Sequence, residues 1–317
     1  MRRLWSWLVA LLARREAATP MALLRIAIGL IVTVTLIDSL ANGAVDALWM
    51  PPEAGGIRAL RVEHWLWSLV GAEPASIRAV LAGAVLSSVA LTVGLASRAS
   101  ALVALSCLQA LLVLQPGTGG GHDRVLTNAL WLLVLSPAGE TLSVWCRLRT
   151  GQWTSAAAHA AWPRYLAVYQ IALIYTTTGV QKVGADWWPW GGLRAVYHAL
   201  LTPSWQRFEA LGWVGWIFPL TQVATVVTVL WESSWFLVPL WLFYRDSRAR
   251  PGRLRALANR LDLRAWHVRF GVVMHVGIWV TMNVGPFSPA TMAFYLCLFH
   301  PDEYAAAWKR MRQPSMR

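Results

Sequence analysis

The chain reads as an all-α polytopic integral membrane protein, a helix bundle of about eight transmembrane helices with its N- and C-termini cytoplasmic. Three observations predict this. Of 317 residues, 57% are hydrophobic and only 14% are charged, where a soluble domain carries roughly 25% charged residues. Apolar runs that approach the roughly 20 residues needed to cross hydrocarbon recur along the whole length. Basic residues gather on alternate connections, as the positive-inside asymmetry of membrane proteins requires.

Taken in order, the segment Arg2-Arg3-Leu4-Trp5-Ser6-Trp7-Leu8 has a basic end and a short apolar core. No small-x-small cleavage site follows it cleanly, so residues 1–19 read as an interfacial helix rather than a secretory signal. Spans are expected at 21–40, 76–96, 99–115, 123–137, 162–182, 213–243, 267–284 and 287–300. The third, fourth and eighth are short, which predicts tilt or partial burial in protein. The sixth is long and contains Pro239, which predicts a kink or an interfacial start. Residues 311–317 form a basic tail. With the N-terminus inside, 20 of the 28 Lys and Arg residues fall on inner connections, 7 on outer ones, and Arg25 lies within the first span.

The net charge of +13 is therefore topological, with the basic stretch 245–269 placed against anionic lipid, and nucleic acid is not expected as a partner. Cys107, Cys146 and Cys297 are far apart without CxxC spacing, so packing roles are expected and neither a disulfide framework nor a metal site. No phosphate-binding glycine loop, HExxH or GxSxG occurs, and no heme, metal or nucleotide is expected. Matched pairs of broken helices, the mark of many transporters, are not evident.

The chemistry-bearing residues cluster on the outer side. Lys182 ends the fifth apolar run, in Tyr175-Thr-Thr-Thr-Gly179-Val-Gln-Lys182-Val-Gly-Ala-Asp186-Trp187-Trp188. Such a lysine either snorkels to headgroups or is held by protein as a base, since desolvation makes an amine easier to deprotonate. Tyr175, Thr178 and Lys182 share a helix face at i, i+3, i+7, with Trp187 and Trp188 beyond, as a pocket lining would. His122 sits in the glycine turn Gly119-Gly-Gly-His122-Asp123-Arg124, either solvated or joined with Lys182 in a proton network. Arg25 and Glu232 fall in the cytoplasmic halves of their spans and are expected to form a structural ion pair or buried network, because each charge alone is expensive in hydrocarbon. Asp38 is a further candidate partner for Lys182 or Arg124. His275, mid-span, with Asn283 two turns on, is either a hydrogen-bonded core residue or part of a binding site.

The segment Tyr175 to Trp187 resembles the motif of the vitamin K-dependent gamma-carboxylase family and its bacterial relatives, the horizontally transferred transmembrane (HTTM) proteins. There an apolar stretch leads to Gly-Val-Lys-Lys-Leu-Asp-Ala-Asp-Trp. Gln181 stands at the first lysine, and the second, the family's base, falls on Lys182. Leu24-Arg25-Ile-Ala-Ile-Gly29, Gly94-Leu-Ala-Ser-Arg98, Gly121-His122-Asp-Arg-Val-Leu and Met274-His275 through Phe287-Ser288 to Met292 are similar to further family motifs in the same order, over roughly residues 20–310. The resemblance implies that His122 is the family's functional histidine. It also implies a reduced, vitamin K-like quinone that is deprotonated by the lysine and reacts with oxygen, after which a peptide glutamate is carboxylated. The animal enzymes add a large lumenal domain after the spans, and this chain is expected to be a bacterial member lacking it.

The resulting expectation is an inner-membrane protein with a 20–310 transmembrane domain and an outward-facing pocket for a lipophilic quinol-like molecule, with Lys182 as base and His122 tuning or relaying its proton. Its partners would be membrane lipids and either a secreted peptide or a quinone reductase. Two other classes stay open: a non-catalytic factor for maturation or export of a secreted peptide, and a carrier with Glu232, Arg25 and His275 along its path.

Overall fold

The computed structural model describes residues 2–59, 63–209 and 212–312. Arg61 and residues 313–317 of the basic tail lie outside the described residues. The chain is mostly helical. In order, the helices are α1 (Arg2–Leu12), α2 (Thr19–Ala41), α3 (Trp65–Val70), α4 (Pro74–Val93), α5 (Ser97–Leu112), α6 (Gly121–Leu135), α7 (Val144–Thr150) and α8 (Trp162–Val180). They continue with α9 (Ala195–Leu201), α10 (Phe218–Ser233), α11 (Val238–Asp246), α12 (Arg253–Leu261), α13 (Leu263–Thr281), α14 (Phe287–Tyr295) and α15 (Pro301–Arg312).

Three segments among the described residues are long and apolar enough to cross a membrane: Thr19–Ala41, Pro74–Val93 and Val214–Asp246. Ser97–Leu112 and Phe287–Leu298 are apolar but shorter. On α2 the buried stripe is Leu24, Ile28, Val32 and Leu36, while Leu30, Val34 and Ile37 are exposed on the other side. A helix in water would put polar residues on that outer face. Val214–Asp246 is interrupted, as its proline predicts. Pro239 has no N–H to give and its ring crowds the carbonyl four residues back, and the helix tightens to a 3₁₀ turn at Ser234–Leu237 between α10 and α11.

The chain divides into two compact units, residues 1–167 with 289–317, and residues 168–288. In the first unit α2 packs on α4, α4 on α5 and α5 on α6. A short ribbon that the helical reading did not anticipate pairs β1 (Arg15–Ala17) antiparallel with β2 (Ala158–Ala160). Three-residue strands are too brief to leave an alternating pattern in the sequence. Beside the ribbon, the buried Arg164 guanidinium donates to both carboxylate oxygens of Glu16, at 2.6 and 2.8 Å.

Arg25 is fully buried in this unit, and its partners are backbone carbonyls. Nη1 donates to Leu91 O (2.7 Å) and Thr92 O (2.9 Å), Nε to Ala138 O (3.1 Å) and Nη2 to Leu142 O (2.6 Å). Leu91 and Thr92 lie in the last turn of α4, where carbonyls lack intrahelical donors. The guanidinium thus caps a helix and ties a loop to it. Gly94 ends α4 with φ +77°, and a Cβ there would sit 2.3 Å from Arg25 Nη1. Two sequence motifs seventy residues apart are therefore one structural joint.

In the second unit, Leu200 and Val214 form a small core with Val196, Tyr197, Leu201, Ile217 and Met282 around it. A larger aromatic cluster joins Tyr175 to Trp231 and Trp235, and His267 to Trp231, Trp235 and Trp241.

Candidate functional site

The first unit holds a cavity of about 180 Å³ between α2, the turn at 44–49, the end of α5 and the start of α6. Its walls include Val32, Leu36, Leu111 and Leu126, with the hydroxyls of Thr35 and Ser39 and the side chains of His122 and Asp123 among the lining. An engineered apolar cavity of about 150 Å³ is enough to take benzene, so this one accommodates a single ring or a short run of chain.

The glycine turn explains how the imidazole reaches that lining. α6 begins at Gly121, and Asp123 accepts the Gly120 N–H at 2.6 Å, satisfying a donor that the helix start leaves free. His122 Nε2 then stands 3.4 Å from the other carboxylate oxygen of Asp123. A Cβ on Gly120 would come within 2.9 Å of the imidazole, so the glycine makes the room that the ring occupies.

Lys182 is built differently. α8 ends at Val180, and the Lys182 side chain folds back over that end. Its Nζ donates to Thr178 O at 3.3 Å, forms an ion pair with Glu232 of α10, and lies 4.8 Å from the Trp187 ring centroid. The Trp188 indole N–H donates to Lys182 O at 3.0 Å, fixing the chain as it leaves the helix. The lysine side chain is 14% exposed and its carboxylate partner 12%. A Cβ on Gly179 would lie 2.5 Å from Ser233 N, so the backbones of α8 and α10 meet there with no room for a methyl group.

The remaining expected site residues fall elsewhere. Arg25 and Glu232 were expected to form an ion pair or a buried network; Arg25 is bound by four carbonyls and Glu232 by Lys182. Nor is Glu232 in the opposite half of its span from Lys182, because the ion pair puts the two at one level. Thr178 lends its carbonyl rather than its hydroxyl, which is bonded within its own helix to Ile174 O and Tyr175 O. Tyr175 is buried, stacked on Trp235 at 4.6 Å, and its hydroxyl is hydrogen-bonded to His275 Nε2. His275 Nδ1 is 3.4 Å from Ser288 Oγ, so this histidine is a hydrogen-bonded core residue. Asn283 is exposed in a loop, where its N–H donates to Trp205 O at 2.8 Å. Asp38 is exposed and accepts from Asn42 at 3.4 Å. Sequence reasoning missed Glu232 as the partner of Lys182 and Asp123 as that of His122. The first could have been found from Glu232 being the only acid in a long apolar run, where a lone carboxylate needs a cation.

These features define a helical membrane protein with two separate charged or acid–base pairs. A family model for the HTTM domain matches residues 13–250, which include His122, Lys182 and Glu232. The chain belongs to the HTTM family, a carboxylase-associated family of membrane proteins. No curated protein and no solved structure matches it.

Proposed function

We propose that this chain is an eight-crossing protein of a bacterial cytoplasmic membrane, with both termini inside, that binds a lipophilic quinol-like molecule and takes a proton from its hydroxyl. The observation that carries the reading is the apolar cavity with His122 and Asp123 in its lining, the imidazole Nε2 3.4 Å from the carboxylate. Binding sites for such ligands are concave and mostly apolar, with a few polar groups that fix orientation. The residues suit a ring bearing an oxygen: Val32, Leu36, Leu111 and Leu126 offer apolar walls, and Thr35, Ser39 and His122 offer hydrogen-bonding partners. A reduced quinone, when bound, supplies an acidic hydroxyl and the reducing electrons that carboxylase-type chemistry uses.

His122 accepts the hydroxyl proton, and Asp123 orients the imidazole and stabilises its charged form, as a carboxylate does behind a catalytic histidine. Lys182, where the family motif places its base, is ion-paired with Glu232. Residues 1–19 serve as an interfacial helix, 20–310 as the membrane domain and 311–317 as a basic tail, with a quinone reductase as partner.

The test is anaerobic titration of the full-length protein in lipid nanodiscs with dithionite-reduced 2-methyl-1,4-benzoquinone. Saturable one-to-one binding is expected, weakened at least ten-fold in Ser39→Phe with thermal unfolding unchanged. Equal binding by Ser39→Phe would remove the cavity as the site. No saturable binding by the wild type would sink the quinol reading and leave the maturation factor or the carrier.

A further inference from the structure

From the end of α11 into α13, residues 245–269 carry eight arginines and two aspartates, and the structure sorts the arginines into two kinds. Arg255 is an anchor. Its guanidinium donates to Ser247 Oγ (3.0 Å) and Pro251 O (2.7 Å) and lies over the rings of Phe243 and Tyr244. Asn259, one turn further along α12, donates to Tyr244 O at 3.0 Å. These two residues fix one face of α12 against α11. Arg264 is buried and faces Asp262 at 3.5 Å. By contrast, Arg248, Arg250, Arg253, Arg260 and Arg269 are exposed, against one partly exposed carboxylate, Asp262, which faces Arg264.

The face of α12 turned away from α11 is apolar. Leu254, Leu257 and Leu261, at i, i+3 and i+7, are 70%, 51% and 46% exposed. Arg253 and Arg260 stand four residues before and three after Leu257, so they border the same stripe. Trp266, 61% exposed with the Arg269 guanidinium 5.3 Å from its ring centroid, continues the pattern into α13. Leucines in a row, bordered by arginines and followed by an indole, form the surface of a helix lying in a membrane interface.

We propose that α12 is an in-plane membrane anchor that recognises anionic lipid. Leu254, Leu257 and Leu261 enter the acyl boundary, and Arg253 and Arg260, with Arg248, Arg250 and Arg269 nearby, bind lipid phosphates. Charge complementarity selects this occupant, because five exposed cations against a single partly exposed carboxylate, itself facing Arg264, suit a negative leaflet. Arg255 is excluded from lipid binding by its internal hydrogen bonds.

The test is a nitroxide at Leu257→Cys in the full-length protein. The native cysteines are all buried and do not compete for label. In nanodiscs of phosphatidylcholine with 30% phosphatidylglycerol, the label is expected to be accessible to oxygen and shielded from a nickel chelate. Replacing the phosphatidylglycerol by phosphatidylcholine, or making Arg253→Gln with Arg260→Gln, is expected to raise nickel accessibility at least three-fold. Arg255→Lys serves as a control for damage to the α11–α12 joint and is expected to disturb label mobility in both lipid mixtures alike. A label open to nickel in both lipid mixtures would place α12 in water and overturn the proposal. A label shielded from both reagents would show a protein covering the face, and would overturn it equally.

Discussion

The His122–Asp123 pair and the Lys182–Glu232 pair solve the same problem, holding an ionisable group in an apolar protein, by opposite constructions. The first is local: adjacent residues on the first turn of α6, each about a fifth exposed and both lining a cavity. The second joins residues fifty apart on two helices whose backbones touch at Gly179, with an indole closing over the amine. A local pair can lose a member without the fold noticing, and its cavity leaves room for a guest. A pair that joins two helices is part of their packing. The proposed binding therefore belongs with the first pair, and stability comes first at the second.

The largest effect is expected from Glu232→Leu. It leaves the Lys182 amine mostly buried beside Trp187 without its carboxylate, and breaking a buried pair from one side costs about 3 kcal/mol. Thermal unfolding in nanodiscs should shift down accordingly. The double variant Lys182→Met with Glu232→Leu should recover most of the loss, since replacing both charges by apolar groups is often neutral. A single variant as stable as wild type would mean that the pair contributes nothing to joining α8 and α10, and the contrast with His122 would fail.

Gly179→Ala is expected to follow. The added methyl meets Ser233 N at 2.5 Å and the Glu232 carbonyl carbon at 2.9 Å, both backbone atoms that cannot swing aside. Overpacking of this kind costs about 1–3 kcal/mol, and it should also spread the helices that bring amine and carboxylate together. Covalent modification of Lys182 by acetic anhydride, read by mass spectrometry, should rise several-fold in this variant. Unchanged modification would show that the amine is equally accessible without the close approach.

What the sequence disclosed follows the range of the forces involved. Lys182 was conspicuous because a charge at the end of an apolar run is a local anomaly, and the glycines before His122 marked a turn for the same reason. The partner of Lys182 was hidden by a length problem. Val214–Asp246 has 33 residues, about 50 Å at 1.5 Å per residue, against hydrocarbon about 30 Å thick. Counting depth from either end of so long a run misplaces its middle, which is where Glu232 lies. Arg25 was recognised as a charge that needs a partner, sought in Glu232 or a buried network, but its carbonyl partners carry no side-chain signature and emerge only when α4 ends beside it. The cavity was illegible because its lining comes from α2, α5, α6 and an intervening turn, no one of which is hollow.

The smallest effect on stability, and the sharpest test of the comparison, belongs to His122→Gln. Asp123 keeps its bond to the Gly120 N–H, so the start of α6 retains its cap, and the imidazole is replaced by a side chain that still hydrogen-bonds. Substitutions away from packed or buried features stay within about 0.5 kcal/mol, and thermal unfolding should move no further than that. Quinol binding should weaken by about ten-fold, near the 1.4 kcal/mol that one hydrogen bond to a ligand oxygen contributes. If binding stays strong without the imidazole, the cavity takes its guest by shape alone. If stability falls by as much as in Glu232→Leu, the two pairs are not opposites, and His122 is one more structural joint like Arg25.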